Sequence, residues 1–501
     1  MSRPDAPPPS DVWGGLAASL VALPSALAYG VAMYAGLGPE AAGQGAFAGL
    51  VGAALLGIVA PLSGGAPRLI TAPCAPAAAV MGAFCAQLVQ GGRSPERVAA
   101  VLALTALLSA AFQLVYGLLH GGRLIKFIPY PVVTGYLSGV AVIIFLGQLP
   151  KFLGIHGGPE LLDGLTHPAR WNLAGAGVGV AAMLGMTLGP RLSKRLPGPI
   201  LGLAGGAAAY AVLAALRPEF RTLTDNHLVV GALPGLGADA LAAAGARFQG
   251  ALAMTSADVS AALVPALTLS ILLSMDTLKT CVVVDALTRS RHDSDKTLLG
   301  QGAANLLSAL AGGMPGAGTA GATMVNVTSG GATKLSGILS GAFSLAAMVL
   351  FSRLVAWVPL PALAGILLVV AARMFDRKSF RLLRKRSTIV DFAVGAAVIV
   401  VAVVSGLITA AGVGLGLSVL LFLHDQILSD VTRRKSDGTK LFSKRRRLAD
   451  ERAALERLGA KTVVCELQGS LFFGTTDQLF CELEPDLPKA SFIILDMRRV
   501  V

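Results

Sequence analysis

The sequence predicts an all-α polytopic membrane protein: fourteen transmembrane segments in a seven-plus-seven inverted repeat, followed by a partial α/β domain. Three observations predict it. Only 14% of the 501 residues are charged and 54% are hydrophobic, with a mean hydropathy of +0.70, whereas an ordinary soluble domain carries about 25% charged residues. Apolar spans recur as far as residue 428. Motifs of the first half return in the second at matching spans.

The apolar spans fall near residues 12–35, 42–62, 71–90, 98–119, 129–149, 172–189, 198–216, 258–284, 297–311, 316–330, 335–352, 357–373, 388–407 and 409–428. A continuous helix needs about 20 residues to cross at 1.5 Å per residue, so some of these spans are expected to be broken or tilted. With the N-terminus in the cytoplasm, 18 Lys and Arg fall in the cytoplasmic loops and N-terminal arm and 8 in the loops opposite. That bias follows the positive-inside rule. It predicts a multi-pass protein of the cell inner membrane with both termini cytoplasmic. Another 14 Lys and Arg follow residue 430, so the net charge of +13 reflects topology and needs no nucleic acid. The arm "MSRPDAPPPSD" has no signal-peptide pattern. Five cysteines, odd in number and without metal-ligand spacing, predict neither a disulfide framework nor a zinc site. The six histidines are dispersed and no nucleophile–base pair is visible, so an enzyme is not expected.

The repeat rests on three motif pairs. "IPYPVVTG" (128–135) recurs as "VPLPALAG" (358–365), "LVALPSAL" (20–27) as "ALVPALTL" (262–269), and "SGGAP" (63–67) as "AGGMP" (311–315). Seven spans, about 12–216, thus repeat as seven, about 258–428. Seven is odd, so the second copy enters the membrane from the opposite side. Inverted repeats of this kind place a transported ligand near the midplane, where broken helices meet.

Spans three and ten carry the breaks. In "TAPCAPAAAV" the prolines forbid a continuous helix. Pro73 and Pro76 fit a helix's first turn, so an extended lead-in over 67–73 and a half-helix over 74–90 are expected. In "GGMPGAGTAGATMVNV" the half-helix is expected to begin near Gly318 or Thr319. Two half-helix N-termini facing each other offer free N–H groups and partial positive charge, which favours an anion. Small residues such as Ala75 and Ala320 let the ligand approach the backbone, and Thr71, Cys74 and Thr319 add polar side chains. For the scattered glycines elsewhere, close helix packing is the simpler reading.

Span eight, "LTLSILLSMDTLKTCVVV" (267–284), places Asp276 and Lys279 in apolar surroundings. At 100° per residue, Lys279 lies about −60° and Thr280 about +40° from Asp276, so the three share a face. Ser270, Ser274, Thr277 and Cys281 form a separate stripe, read as a packing surface. An ionisable group inside a membrane is a functional candidate. Asp276 either pairs with Lys279 or, if Lys279 reaches the span's cytoplasmic end, needs a bound cation, a proton or a backbone N–H.

Residues 1–428 are thus read as a transmembrane anion transporter domain. Residues 429–460 read as a basic cytoplasmic linker containing a short amphipathic helix and touching anionic lipid. From 461, "KTVVCELQG", "TTDQLFCEL" and "SFIILDMRRVV" read as strand, helix and strand of an incomplete α/β domain. The loop "RSRHDSDK" (289–296) is either a solvated connector or a contact for the tail.

The stretches "ALPSALAYGVAMYAGL", "GRLIKFIPYPVVTGYLSGVAVIIFLGQL", "VVVDALTRSRHDSDKTLLGQGAANLLSALAGGMPGAGT" and "VVCELQGSLFFGTTDQL" resemble the sulfate permease (SulP) family of anion transporters, the last of them the start of its STAS domain. The resemblance implies a core domain moving against a gate domain, a homodimer, and a STAS tail (461–501, truncated) that binds a cytoplasmic regulator. It places the anion between spans three and ten, at Thr71, Cys74, Ala75, Gly318, Thr319 and Ala320, with Tyr29 of the first stretch beside them. An acid on span eight is usual in the family. Asp276 and Thr280 match the Asp and Thr spacing of its sodium-coupled bicarbonate branch, with Gly318 opposite. Many members carry an arginine early in span ten where Ala322 aligns here, and Lys279 is read as restoring that charge.

The expected function is secondary transport of a small anion (bicarbonate, sulfate or a dicarboxylate) by elevator-like alternating access. Na⁺ or H⁺ couples at Asp276, and no other cofactor is expected. An anion channel or regulatory membrane scaffold, and a nucleobase permease of the same fold, are the alternatives.

Overall fold

The computed structural model describes residues 10–122, 130–154, 167, 171–192, 196–223, 226–234, 245, 254–376, 389–406, 409–421 except 411, 415 and 418, 431–440, 446–469 and 473–500. Residues 422–428 of the last expected span, and 429–430 and 441–445 of the expected linker, lie outside these. The chain divides into two compact units, Met1–Leu415 and Gly416–Val501.

A helix stands at each of the fourteen expected spans. The first half holds α1 (Asp11–Met33), α2 (Ala42–Ser63), β1 (Thr71–Pro73), α3 (Ala75–Gln90), α4 (Pro95–Leu118), α5 (Tyr130–Phe152), α6 (Leu173–Leu192) and α7 (Gly198–Leu216). The second holds α8 (Ser256–Thr288), α9 (Ser294–Leu310), β2 (Gly316–Gly318), α10 (Ala320–Thr328), α11 (Lys334–Leu350), α12 (Leu360–Met374) and α13 (Ile389–Ser405), then α14 (Gly412–Leu421). Among the described residues, α1, α2 and α4–α8 are long and apolar enough to cross a membrane. The half-helices α3 and α10 are shorter, as their prolines and glycines demand. Helix α8 has 33 residues, about 50 Å at 1.5 Å per residue, so it tilts or projects beyond a hydrocarbon layer of about 30 Å.

The helices form two groups. Helices α1–α4 and α8–α11 pack on one another, and α5–α7 pack with α12 and α13. This is the expected core and gate. Close approach is built in by glycine. A Cβ added at Gly30 of α1 would stand 2.0 Å from the Gly45 carbonyl oxygen of α2, and one at Gly45 would stand 2.5 Å from the Gly30 oxygen. Exposed apolar side chains such as Leu184, Val212, Leu267, Val283 and Val349 face outward, as helices surrounded by lipid require.

The helix starts follow ordinary capping rules. Ser94 accepts from Arg97 N–H ahead of Pro95, and Thr255 with Asp258 forms a capping box on α8. Arg93 and Arg97 both pair with Asp258, tying the α3–α4 loop and the first turn of α4 to α8. Asp293 caps α9, accepting from Asp295 and Lys296 N–H at 3.1 and 3.2 Å. The Lys296 N–H, with the nearby Lys296 charge, holds this carboxyl below the usual range against its modest burial. Asp293→Ala is expected to cost about 1 kcal/mol in thermal unfolding. Because the folded pKa is depressed, the wild-type advantage is full above about pH 4 and is lost as pH falls through the depressed value.

In the second unit, β3 (Thr432–Asp437), β4 (Thr462–Leu467) and β5 (Phe492–Asp496) form a sheet in that order, with α15 (Ala449–Gly459) and α16 (Phe473–Leu483). β4, α16 and β5 match the expected strand, helix and strand. The expected linker differs: "TRRKSD" within it is β3, antiparallel to β4. Its basic residues suit an edge strand, where charge blocks further pairing. Val431, Cys465, Leu467, Leu479 and Leu483 form the core of this unit.

Candidate functional site

β1 and β2 pair antiparallel, with Thr71 opposite Gly318 and Pro73 opposite Gly316. Segments related by an inverted repeat must run in opposite directions, and these do. A Cβ at Gly316 would meet the Ala72 carbonyl oxygen at 2.3 Å, so only glycine permits this ribbon. Each strand ends where a half-helix begins. Cys74 is the N-cap of α3 and Thr319 of α10, and neither side chain caps its helix. First-turn N–H groups are thereby left for a ligand.

The two starts differ in exposure. Cys74 and Ala75 are buried at 3% and 4%, whereas Ala320 and Gly321 are exposed. On α10, Ala322 packs with Ala18, Ala22, Ile70 and Ala72, while a Cβ at Gly321 would meet nothing within 4 Å. Gly321, not Ala322, is therefore the first-turn position with room for a long side chain. Gly321→Arg is expected to fold normally, and Ala322→Arg to lose more than about 3 kcal/mol by overpacking and charge burial. Thermal unfolding of the two purified variants checks this.

A buried polar network holds the ribbon. Gly318 N–H donates to Thr277 Oγ1 (2.9 Å), Gln301 Nε2 donates to Thr71 Oγ1 (2.7 Å), and Thr319 N–H donates to the Ile70 carbonyl (2.9 Å). Asn305 pairs with Gly316 as a neighbouring strand would: its Oδ1 accepts from Gly316 N–H (2.8 Å) and its Nδ2 donates to the Gly316 carbonyl (3.0 Å). The same Nδ2 donates to Gln113 Oε1 (2.8 Å). Thr277, Gln301, Asn305 and Gln113 were not among the residues expected from sequence. The stripe read as packing is polar: Ser274 accepts from Gln113 and Ser270 bonds Tyr116. The available signal was Gln301, Asn305 and Ser308 along one face of α9.

Asp276 lies within electrostatic range of Cys74, Tyr29 and Lys279. Among the described residues it makes no hydrogen bond and no ion pair, so it does not form a closed pair with Lys279. One turn on, the Thr280 hydroxyl is buried and has no hydrogen-bond partner among the described residues. A carboxylate and a hydroxyl left open one turn apart are suitable oxygens for a small hard cation. No group of three or more His, Cys, Asp or Glu placed to hold a metal ion occurs among the described residues, so a cation here would need backbone oxygens too. Lys279 is exposed and lines a different cleft, with Thr134, Thr187, Arg373 and Asp376. The geometry thus gathers Tyr29, Thr71, Cys74, Ala75, Asp276, Thr280, Gly318, Thr319 and Ala320 around the ribbon and sets the Lys279 side chain apart. Tyr29 borders a cavity of about 340 Å³ beside α3.

Known proteins share this fold. The chain is 30% identical over 481 residues to the "Bicarbonate transporter BicA" of Picosynechococcus sp., covering 93% of this chain and 78% of that protein. The solved transmembrane domain of a cyanobacterium bicarbonate transporter BicA superposes with a TM-score of 0.68 at 32% identity, over 80% of this chain and 96% of that one. The murine Slc26a9 anion transporter in its inward-facing state shares the fold, with a TM-score of 0.72 at 16% identity, over 100% of this chain and 82% of that one. The second unit, with its small sheet, is consistent with a STAS domain. Matched over residues 9–398 by the model of the sulfate permease family, whose members are transporters and not enzymes, this chain belongs to that family.

Proposed function

We propose that the protein is a secondary transporter of a small oxyanion, bicarbonate or sulfate, with a short dicarboxylate as the third candidate. The anion is held by the free N–H groups at the starts of α3 and α10, and Asp276 couples its movement to Na⁺ or H⁺. The observation that carries this is the antiparallel ribbon, which sets two uncapped half-helix starts at one place in the fold beside an unpaired carboxylate. Similarity to a bicarbonate transporter over 93% of the chain supports the choice of anion.

Like charges repel, so a bare Asp276 opposes an anion at the ribbon. A proton or a Na⁺ held by Asp276 and Thr280 removes the repulsion, and coupling follows. In this reading the core carries both ions past the gate. Lys279 then acts on Asp276 from its far side and does not touch the anion. A homodimer in the inner membrane, with both termini cytoplasmic and the STAS unit open to a regulator, completes the proposal.

The test is uptake into proteoliposomes of labelled bicarbonate, sulfate and fumarate, each with and without a Na⁺ gradient and a pH gradient. Saturable uptake of one anion, stimulated by one gradient, is the expected result. Flux that never saturates would indicate a channel, and uptake indifferent to both gradients would remove the coupling role of Asp276.

A further inference from the structure

Helix α5 ends in "GQLPKF", which places Gln148 and Lys151 one turn apart in its last turns. Both side chains border two adjoining cavities. The wider, about 380 Å³, is also lined by the end of α1, the start of α2, His227 and the start of α12. The other, about 340 Å³, follows α3 from Ala86 back through Ala83 and Ala79 to Ala78 and reaches Tyr29. Ala78 is one turn from the N-cap Cys74. Lys151 and Gln148 therefore stand where the two cavities meet, the inner of which ends one turn short of the α3 N-cap. This is the face of the domain away from the N-terminus, since α1 crosses once before reaching it.

Among the described residues, Lys151 forms no ion pair or hydrogen bond and no carboxylate borders either cavity. The Lys151 side chain is half-buried, and an ammonium group partly withdrawn from water without a counter-charge loses hydration that the protein does not repay in full. At the end of a helix it gains only a fraction of that from the backbone carbonyls. A small anion in the cavity would supply the missing charge, and Gln148 would supply an amide donor beside it.

We propose that Lys151 and Gln148 form an anion-capture station, a binding point ahead of the ribbon for anions entering from the face away from the N-terminus. It takes the same small oxyanions and rests on the transport reading above. The station sets the affinity on one side of the membrane and leaves the transport step itself to the ribbon.

The test compares wild type with Lys151→Gln, Lys151→Arg and Gln148→Leu in proteoliposomes of known orientation, with sulfate and bicarbonate presented from each side in turn. Lys151→Gln is expected to raise KM about tenfold from the capture side and to leave the opposite KM and the maximal rate within twofold. Lys151→Arg stays within about threefold of wild type, and Gln148→Leu gives a smaller shift on the same side. A lysine that merely steadies the helix end would change no one-sided KM. As a readout independent of flux, sulfate is titrated against the thermal unfolding of purified wild type and Lys151→Gln. The half-stabilising concentration is expected to rise about tenfold in the variant. If wild type transports and Lys151→Gln has unchanged KM on both sides, the capture station is overturned while transport stands. If sulfate stabilises wild type in a Lys151-dependent way but nothing is transported, the station stands and the transport reading fails. Stabilisation that ignores Lys151 overturns the station in either case.

Discussion

Asp276→Asn is expected to yield a folded protein that still admits anion but no longer concentrates it. The asparagine keeps the shape of the side chain and removes the charge that, in the proposed coupling, must be neutralised before an anion can share the site. Uptake should become indifferent to Na⁺ and pH gradients, and the accumulation ratio should fall at least tenfold, toward simple equilibration. Asp276 makes no hydrogen bond or ion pair among the described residues, so little stability is lost with the carboxylate. The partner experiment is Thr280→Val. The Thr280 hydroxyl is buried and unpartnered, so removing it costs the fold little. If the coupling ion is Na⁺, this variant raises the Na⁺ concentration for half-maximal uptake about tenfold. If it is H⁺, uptake is unchanged. An Asp276→Asn protein that still concentrates anion along either gradient would sink the coupling role.

Asn305→Leu is expected to have the largest effect on the fold of the core. It strands Gly316 N–H, the Gly316 carbonyl and Gln113 Oε1 in a dry interior, after hydrogen bonds of 2.8 to 3.0 Å. Each orphaned group costs about 1–3 kcal/mol, so the sum is comparable to the net stability of a typical domain, about 5–15 kcal/mol. Loss of folded protein is the expected outcome, read as loss of a monodisperse peak on purification. Asn305→Asp is the finer probe. Its carboxylate can still accept from Gly316 N–H but faces the Gly316 carbonyl without a proton to give. About 2–4 kcal/mol should be lost in thermal unfolding, and anion affinity should fall with it, because β2 positions α10. If Asn305→Asp unfolds and transports as wild type does, the amide is not what holds the ribbon.

Much of this architecture was legible in the sequence because proline and glycine act locally. Pro73 and Pro76 fixed where span three could become helical, and α3 begins at Ala75, within a residue of the expectation. The run through Gly318 did the same for α10, which begins at Ala320. Asp276 stood out because a charge in an apolar run is costly wherever its partner lies. What remained hidden is non-local. A helical wheel shows that Thr277 and Ser274 share a stripe, but not that Gly318 and Gln113 lie opposite them. The pairing of β1 with β2 joins residues more than two hundred positions apart, and two strands of three residues leave no periodic trace. Lys279 was placed on the face of Asp276 correctly by angle, yet its side chain is exposed and lines another cleft. β3 was missed because "TRRKSD" lacks an apolar alternation, which an edge strand does not need.

Under the proposed transport cycle, the unequal exposure of the two half-helix starts marks one of two states. The halves are built on one plan, so what one half does now the other can do later. Here the start of α10 lies open while Cys74, at the start of α3, is shut in at 3% exposure. In the proposed cycle, movement of the core past the gate would change these exposures and would open the α3 start to solvent in the complementary state. The chain carries its own reporter of that moment, because Cys74 is a free thiol, and of the remaining cysteines Cys85, Cys281 and Cys465 are buried and only Cys481 is exposed. With Cys481 replaced by serine, the rate at which a membrane-impermeant thiol reagent finds Cys74 becomes a clock for turnover, running when anion and gradient drive the cycle and stopping when they are withdrawn.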